Sequence, residues 1–102
     1  MKEFPPEEEY FVVNDACHSF FAYNEHTEHG ISSKSFSDPV LVQIWDILGR
    51  LYSSNKKPDE DLMTTHFIGE DYGIIMHLFD FHTTRNVAYY RKLLLDTIPE
   101  LV

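Results

Sequence analysis

One cysteine, few basic residues and no long apolar run distinguish this sequence of 102 residues. Cys17 cannot form an internal disulfide, which excludes the disulfide-stapled secreted domains. The longest apolar candidate, residues 74–79, is interrupted by His77 and falls far short of the ~20 residues that span a bilayer. The N-terminal residues lack the apolar core of a signal peptide. These shortages predict a cytoplasmic protein without a membrane segment.

Basic residues are scarce, because 8 Lys and Arg stand against 17 Asp and Glu, for a net charge of −9. Nucleic acids and anionic lipids are bound by clustered Lys and Arg. The composition therefore disfavours direct binding of nucleic acid or of a membrane surface. A basic protein would instead be attracted and steered by this charge.

The acidic residues are concentrated in two segments. Residues 1–30, the first acidic segment, hold seven acids and one base, for a net charge of −6. Residues 59–80, the second acidic segment, hold six acids and no base, for a net charge of −6 again. The segments 31–58 and 81–102 sum to +2 and +1. Since solubility alone does not require such segregation, the pattern favours a surface that binds a basic partner.

The length of the chain suffices for one domain and not for two, so residues 1–102 are predicted to form a single acidic globular domain. Hydrophobic residues make up 43% of the sequence and aromatic residues 15%, which is typical of a packed core. No internal repeat or low-complexity tract divides it.

A first helix is predicted from Glu7 to Gly30. Pro5-Pro6 and the following glutamates favour a first turn, and glycine favours an end. The apolar residues that recur at helical spacing are Tyr10, Val13, Cys17, Phe20 and Phe21.

A second helix is predicted from Ser37-Asp38-Pro39 to the polar loop at residues 53–58, since Pro39 suits the first turn and a side chain before it can cap the helix. Its apolar stripe consists of Leu41, Ile44, Trp45, Leu48, Leu51 and Tyr52. Gly49 lies inside this helix, where close packing against another element is the favoured interpretation and a hinge is the alternative.

The second half of the chain is less regular. A short helix is predicted from Asp59 to about His66 or Phe67, and a last helix from a Thr84 cap to Pro99. Residues 72–82 fit either a helix, which is favoured, or a buried strand. The fold class is therefore all-α, an irregular bundle of four to five helices. The alternative is α+β with a hairpin in residues 62–81.

Six histidines invite a test for a metal site, above all at Glu25-His26-Thr27-Glu28-His29. The order of these residues is not the Glu-x-x-His motif of carboxylate-bridged di-iron sites, and no second copy exists. A solvated helix end, with His29 beside the terminal carbonyls, is the favoured interpretation. No metal and no cofactor are predicted.

Catalysis is also disfavoured by the sequence. His77 and His82 flank Asp80, but His77 lies in an apolar run and is interpreted as a hydrogen-bonded core residue. Cys17 and His18 are adjacent and point about 100° apart on a helix, so Cys17 is predicted to be a core residue. A small metal-dependent enzyme using the histidines with Glu25, Glu28 or Asp80 remains the alternative.

Tyrosines interleave with the acidic residues in both acidic segments. Tyrosines anchor protein interfaces, and carboxylates around them set association rate and partner choice. Helix capping by the acids and tyrosines that extend outward from the core are the alternative interpretation. The predicted partner-binding residues are Glu7, Glu8, Tyr10, Asp15, Tyr23, Glu25, Asp59, Glu60, Asp61, Glu70, Asp71 and Tyr72.

In size and charge the chain resembles the small acidic bacterial immunity proteins, including those of contact-dependent inhibition. The resemblance implies a cytoplasmic inhibitor that binds a cognate basic toxin nuclease and covers its active or nucleic-acid-binding face. A nucleic-acid mimic or a regulatory adaptor shares the same charge argument. The oligomeric state is left open by the sequence.

Overall fold

The computed structural model describes residues 6–64, 71–80 and 86–97. Within these residues the chain forms helices and no strand, which confirms the all-α prediction. The helices are α1 (Glu7–His18), α2 (Phe20–Glu28), α3 (Pro39–Ser53), α4 (Glu60–Thr64), α5 (Asp71–Asp80) and α6 (Val87–Thr97), with a 3₁₀ turn at Ser33–Ser35. The alternative hairpin in residues 62–81 is excluded, because its second strand would occupy the helix α5. The predicted Thr84 cap and Pro99 end lie outside the described residues.

The prediction of one helix from Glu7 to Gly30 is wrong at Ser19. Ser19 has extended backbone angles, φ −152° and ψ 125°, and its side chain accepts a hydrogen bond from the Ala22 N–H at 3.2 Å. Serine offers the backbone this local alternative to helical bonding, so the helix ends and a new one begins. The stop at Gly30 is confirmed, since Gly30 has φ 102° and the Ile31 N–H donates to the His26 carbonyl in a Schellman motif.

The start of α3 agrees with the prediction from Asp38 and Pro39. The Asp38 Oδ1 accepts from the backbone N–H groups of Val40 and Leu41, at 2.9 and 3.3 Å. Glu9, on α1, adds a connection that the sequence did not predict. Its buried carboxylate accepts from the Ser37 N–H at 2.9 Å, from the Ser37 hydroxyl at 2.6 Å and from the Asp38 N–H at 3.2 Å. These hydrogen bonds join the first turn of α1 to the start of α3.

Helix α1 lies at the centre of the bundle and packs against α2, α3, α5 and α6. Its inner face and the apolar stripe of α3 form the core together with residues of the later helices. The fully buried core residues include Val12, Val13, Ala16, Leu41, Ile44, Leu48, Met63, Ile75 and Leu78. No helix within the described parts of the chain is long and apolar enough to cross a membrane.

Gly49 on α3 lies against the Tyr23 side chain of α2. A Cβ atom at this position would lie 2.8 Å from the Tyr23 hydroxyl oxygen, well inside ordinary contact distance. The structure thus confirms close packing as the reason for a glycine inside this helix.

Candidate protein-binding surface

Part of the charge of the first acidic segment is engaged inside the molecule. The Glu9 carboxylate is buried at the start of α3, and the Asp15 Oδ2 lies 2.9 Å from the His26 Nε2. The Glu25 carboxylate is exposed and lies 3.9 Å from the Arg91 guanidinium. Glu7 and Glu28 are exposed, and Glu8 is half-buried. The carboxylates of this segment that face solvent are thus fewer than its net charge implies.

Asp15, His26 and Arg91 form one connected cluster. The His26 side chain is 1% exposed, and its Nδ1 lies 3.3 Å from the Arg91 Nη1. A guanidinium only donates, so the His26 Nδ1 accepts and its Nε2 carries the proton that is donated to Asp15. Both ring nitrogens of His26 are occupied, and the ring is enclosed, which suits a structural role better than acid–base catalysis.

The two histidines within residues 25–29, His26 and His29, therefore have different environments. His29 is exposed and its Nδ1 donates to the Glu25 carbonyl at 2.8 Å, as predicted for a helix end. His26 is buried, so the prediction of a solvated segment is wrong for this residue. Within residues 6–64, 71–80 and 86–97, no three His, Cys, Asp or Glu side chains are grouped so that they could hold a metal ion.

The Leu78 carbonyl joins the two acidic segments. It accepts hydrogen bonds from the Asn14 side-chain amide at 3.0 Å and from the His18 Nε2 at 2.6 Å. Asn14 and His18 lie one turn apart on α1, and Leu78 lies near the end of α5. Helix α1 of the first acidic segment and helix α5 of the second are thus hydrogen-bonded directly to each other, and we call this contact the joint at Leu78. The exposed Asp80 lies two residues beyond it.

The second acidic segment begins at a helix cap. The Asp59 Oδ1 accepts from the Leu62 N–H at 2.7 Å, at the start of α4, and both Asp59 and Asp61 are exposed. Three further predicted residues, Glu60, Asp71 and Tyr72, belong to α4 and α5, but their side chains are outside the described part of the structure. Glu70 lies outside the described residues altogether.

The predicted tyrosine anchors of the first acidic segment pack against the core. Tyr10 is half-buried with its ring centroid 5.5 Å from that of Phe11, and burial raises the pKa of its hydroxyl. The half-buried Tyr23 has its ring centroid 4.9 Å from that of Trp45. Burial, and to a smaller extent the charge of Asp46, raises the pKa of the Tyr23 hydroxyl. These positions agree with the alternative interpretation, in which tyrosines extend outward from the core.

Two neighbouring phenylalanines of the first acidic segment are exposed instead. Phe20 is 48% exposed and Phe21 is 83% exposed, with ring centroids 6.2 Å apart. A continuous first helix would have placed both on its apolar stripe. The break at Ser19 redirects them to solvent, so only the recognition of a cap inside the apolar pattern could have revealed this patch.

His77 is exposed, so its prediction as a core histidine is wrong. The helical period of α5 turns Ile74, Ile75 and Leu78 into the core and leaves His77 on the opposite side with Met76. His82 lies outside the described residues. Cys17 is a core residue as predicted, because it is 2% exposed and burial raises the pKa of its thiol.

Comparison of the chain with protein family models, with curated proteins and with solved structures finds no match. Functional inference therefore rests on the surface itself. Its main features are exposed carboxylates on adjoining helices and an exposed pair of phenylalanines.

Proposed function

We propose that the protein is a cytoplasmic inhibitor that binds a basic protein, and that this partner is a toxin nuclease, as its resemblance to bacterial immunity proteins implies. The observation that carries the proposal is the joint at Leu78, which bonds α1 to α5 and brings the helices of both acidic segments together. A partner that contacts one segment at this joint has the other within reach.

The charge of the surface suits this class of partner. A nuclease presents cationic groups to the phosphates of its substrate, so an inhibitor that covers this face gains from carboxylates. Glu7, Asp61 and Asp80 are exposed acids of the two segments. Exposed aromatic side chains supply the apolar contacts that dominate binding energy at the centre of interfaces. Among the aromatic side chains described within residues 6–64, 71–80 and 86–97, Phe21 is the most exposed.

Affinity capture from the source organism, followed by a nuclease assay on the captured protein, tests the proposal. The expected partner is a basic protein with nuclease activity that falls when the chain is added in equimolar amount. The triple variant Glu7→Gln, Asp61→Asn and Asp80→Asn should capture much less of it. The control is the double variant Asp46→Asn and Asp96→Asn, which removes two exposed acids that lie outside both acidic segments.

Three outcomes would contradict the proposal. The first is a captured partner that is itself acidic, and the second is a basic partner whose activity the chain leaves unchanged. The third is equal loss of capture in the triple variant and in its control, which would reduce the effect to net charge alone.

A further inference from the structure

A cavity of about 310 Å³ opens where the α1–α2 junction meets the C-terminal end of α3. One wall is apolar and consists of Cys17, Phe20 and Tyr52. The polar lining residues are His18, Asn55, Lys56 and Lys57. Small-molecule sites have this size and this composition, an apolar lining with a few polar groups that fix orientation. None of the residues that line it, within the described parts of the chain, carries a carboxylate. The lining therefore carries positive charge, although the net charge of the chain is −9.

The apolar wall is neutral and preformed. Burial raises the pKa of the Cys17 thiol, which keeps it protonated. The Tyr52 hydroxyl donates to the Ala16 carbonyl at 2.6 Å, so the polar end of this side chain is occupied and its ring is held in place. Phe20 meets the Tyr52 ring edge-on, with centroids 5.3 Å apart, and remains 48% exposed beside the opening. An aromatic ligand would therefore contact aromatic surface from both side chains here.

The lysines are placed by the way in which α3 ends. Asn55 adopts a left-handed conformation, φ 58°, and the Lys56 N–H donates to the Leu51 carbonyl at 2.8 Å, which completes a Schellman motif. The N–H groups of Ser54 and Asn55 are likewise bonded to carbonyls of the last turn. These backbone N–H groups are therefore not available to a bound anion, which leaves the side chains of Asn55, Lys56 and Lys57 to recognise it.

This arrangement selects a particular kind of anion. Phosphate sites characteristically add several backbone N–H groups to their cationic side chains, and here the N–H groups of residues 54–56 are already used. The C-terminal end of α3 also carries partial negative charge, which opposes a dianion more strongly than a monoanion. A cavity lined by two lysines and an aromatic wall suits a single carboxylate on an apolar body.

We propose that this cavity binds a small organic monoanion, an aromatic carboxylate. Its ring lies against Phe20 and Tyr52, and its carboxylate meets Lys56 and Lys57. The cavity shares His18 and Phe20 with the candidate protein-binding surface, but Lys56 and Lys57 lie outside both acidic segments, and the proposal does not rest on the proposed function.

Calorimetric titration with 1-naphthylacetate, with 1-naphthylacetamide as its neutral counterpart, tests the proposal. The carboxylate is expected to bind with a dissociation constant of about 0.1 to 1 mM, as suits a ligand of this size. The amide should bind about fivefold more weakly, and inorganic phosphate should not displace the carboxylate at equal concentration. Nuclear magnetic resonance shifts should be largest at Phe20, Tyr52 and Lys56.

Variants locate the site and its charge recognition. The double variant Lys56→Gln and Lys57→Gln should weaken carboxylate binding by about fivefold to tenfold and leave amide binding unchanged. The matched control is Lys34→Gln and Lys92→Gln, two exposed lysines outside the cavity, which should bind as the parent does. Phe20→Ala should weaken both ligands, and thermal unfolding of each variant verifies its fold.

The proposal is overturned if neither ligand binds at about 10 mM, or if acid and amide bind equally well. Displacement by equimolar phosphate, equal effects of the two lysine pairs, or shifts confined to residues away from the cavity would overturn it as well.

Discussion

Asp15 and His26 are joined by a 2.9 Å hydrogen bond, and the far side of the same imidazole accepts from Arg91. This cluster links α1, α2 and α6, since each helix contributes one of its members. Two of the acids that the sequence suggested for partner binding, Asp15 and Glu25, thus contact a basic side chain of the protein itself.

Replacement of His26 by leucine should lower the free energy of unfolding by about 2 to 4 kcal/mol. The reason is that Asp15 and Arg91 would each lose their hydrogen bond to the imidazole in a largely buried site, and leucine can replace neither bond. Urea unfolding followed by circular dichroism measures the change. His29→Leu is the control, because His29 is exposed, and its loss should stay below about 1 kcal/mol. Equal losses in both variants would show that the cluster contributes nothing specific.

Gly49→Ala should destabilise the protein by about 1 to 3 kcal/mol, because the added methyl group would meet the Tyr23 hydroxyl at 2.8 Å. In the Tyr23→Phe background this oxygen is absent. There the same substitution should be neutral or stabilise by up to about 1 kcal/mol, through the better helix propensity of alanine. A double-mutant cycle from urea unfolding measures the coupling energy between Gly49→Ala and Tyr23→Phe. Additive effects of the two substitutions on the free energy of unfolding would contradict the contact.

Alkaline pH should destabilise the protein. Burial raises the folded-state pKa of Cys17 and Tyr52 above their ordinary values of 9.0 and 10.0. The folded state therefore holds these protons while the unfolded chain releases them, so stability is full below pH 9 and falls as pH rises further. Each group steepens the fall by up to about 1.4 kcal/mol per pH unit.

Urea unfolding from pH 7 to 10.5 measures this dependence. Cys17→Ala removes the earlier of the two titrations, so its decline should begin near the ordinary tyrosine pKa of 10.0 instead of 9.0. A stability that stays constant from pH 8 to 10.5 would show that neither group is buried as described.

The sequence predicted those parts of the fold that depend on local signals. The Asp38 cap, the Gly30 stop and the apolar stripe of α3 each follow from neighbouring residues and helical period, and all three are present. The helix preference for residues 72–82 rested on helical patterns on both sides and on few β-branched residues within, and residues 71–80 are helical.

The parts that the sequence did not predict depend on contacts distant along the chain. In the sequence, Glu9 is one of three glutamates at a helix start. It alone is buried, because its carboxylate accepts hydrogen bonds from Ser37, which lies 28 residues further along the chain. His77 lies in an apolar run, but only the phase of α5 decides that it faces outward. The Ser19 break had a local signal, a capping residue, which the continuous apolar pattern on both sides concealed.

The salt dependence of the association rate tests the central claim most directly. Stopped-flow mixing of the chain with the captured basic partner, at ionic strengths from about 0.02 to 0.5 M, should show a rate that falls at least tenfold as salt screens the acidic segments. The triple variant Glu7→Gln, Asp61→Asn and Asp80→Asn should start from a lower rate and show a flatter dependence. Rates that are independent of salt, or unchanged in that variant, would contradict binding through the acidic surface.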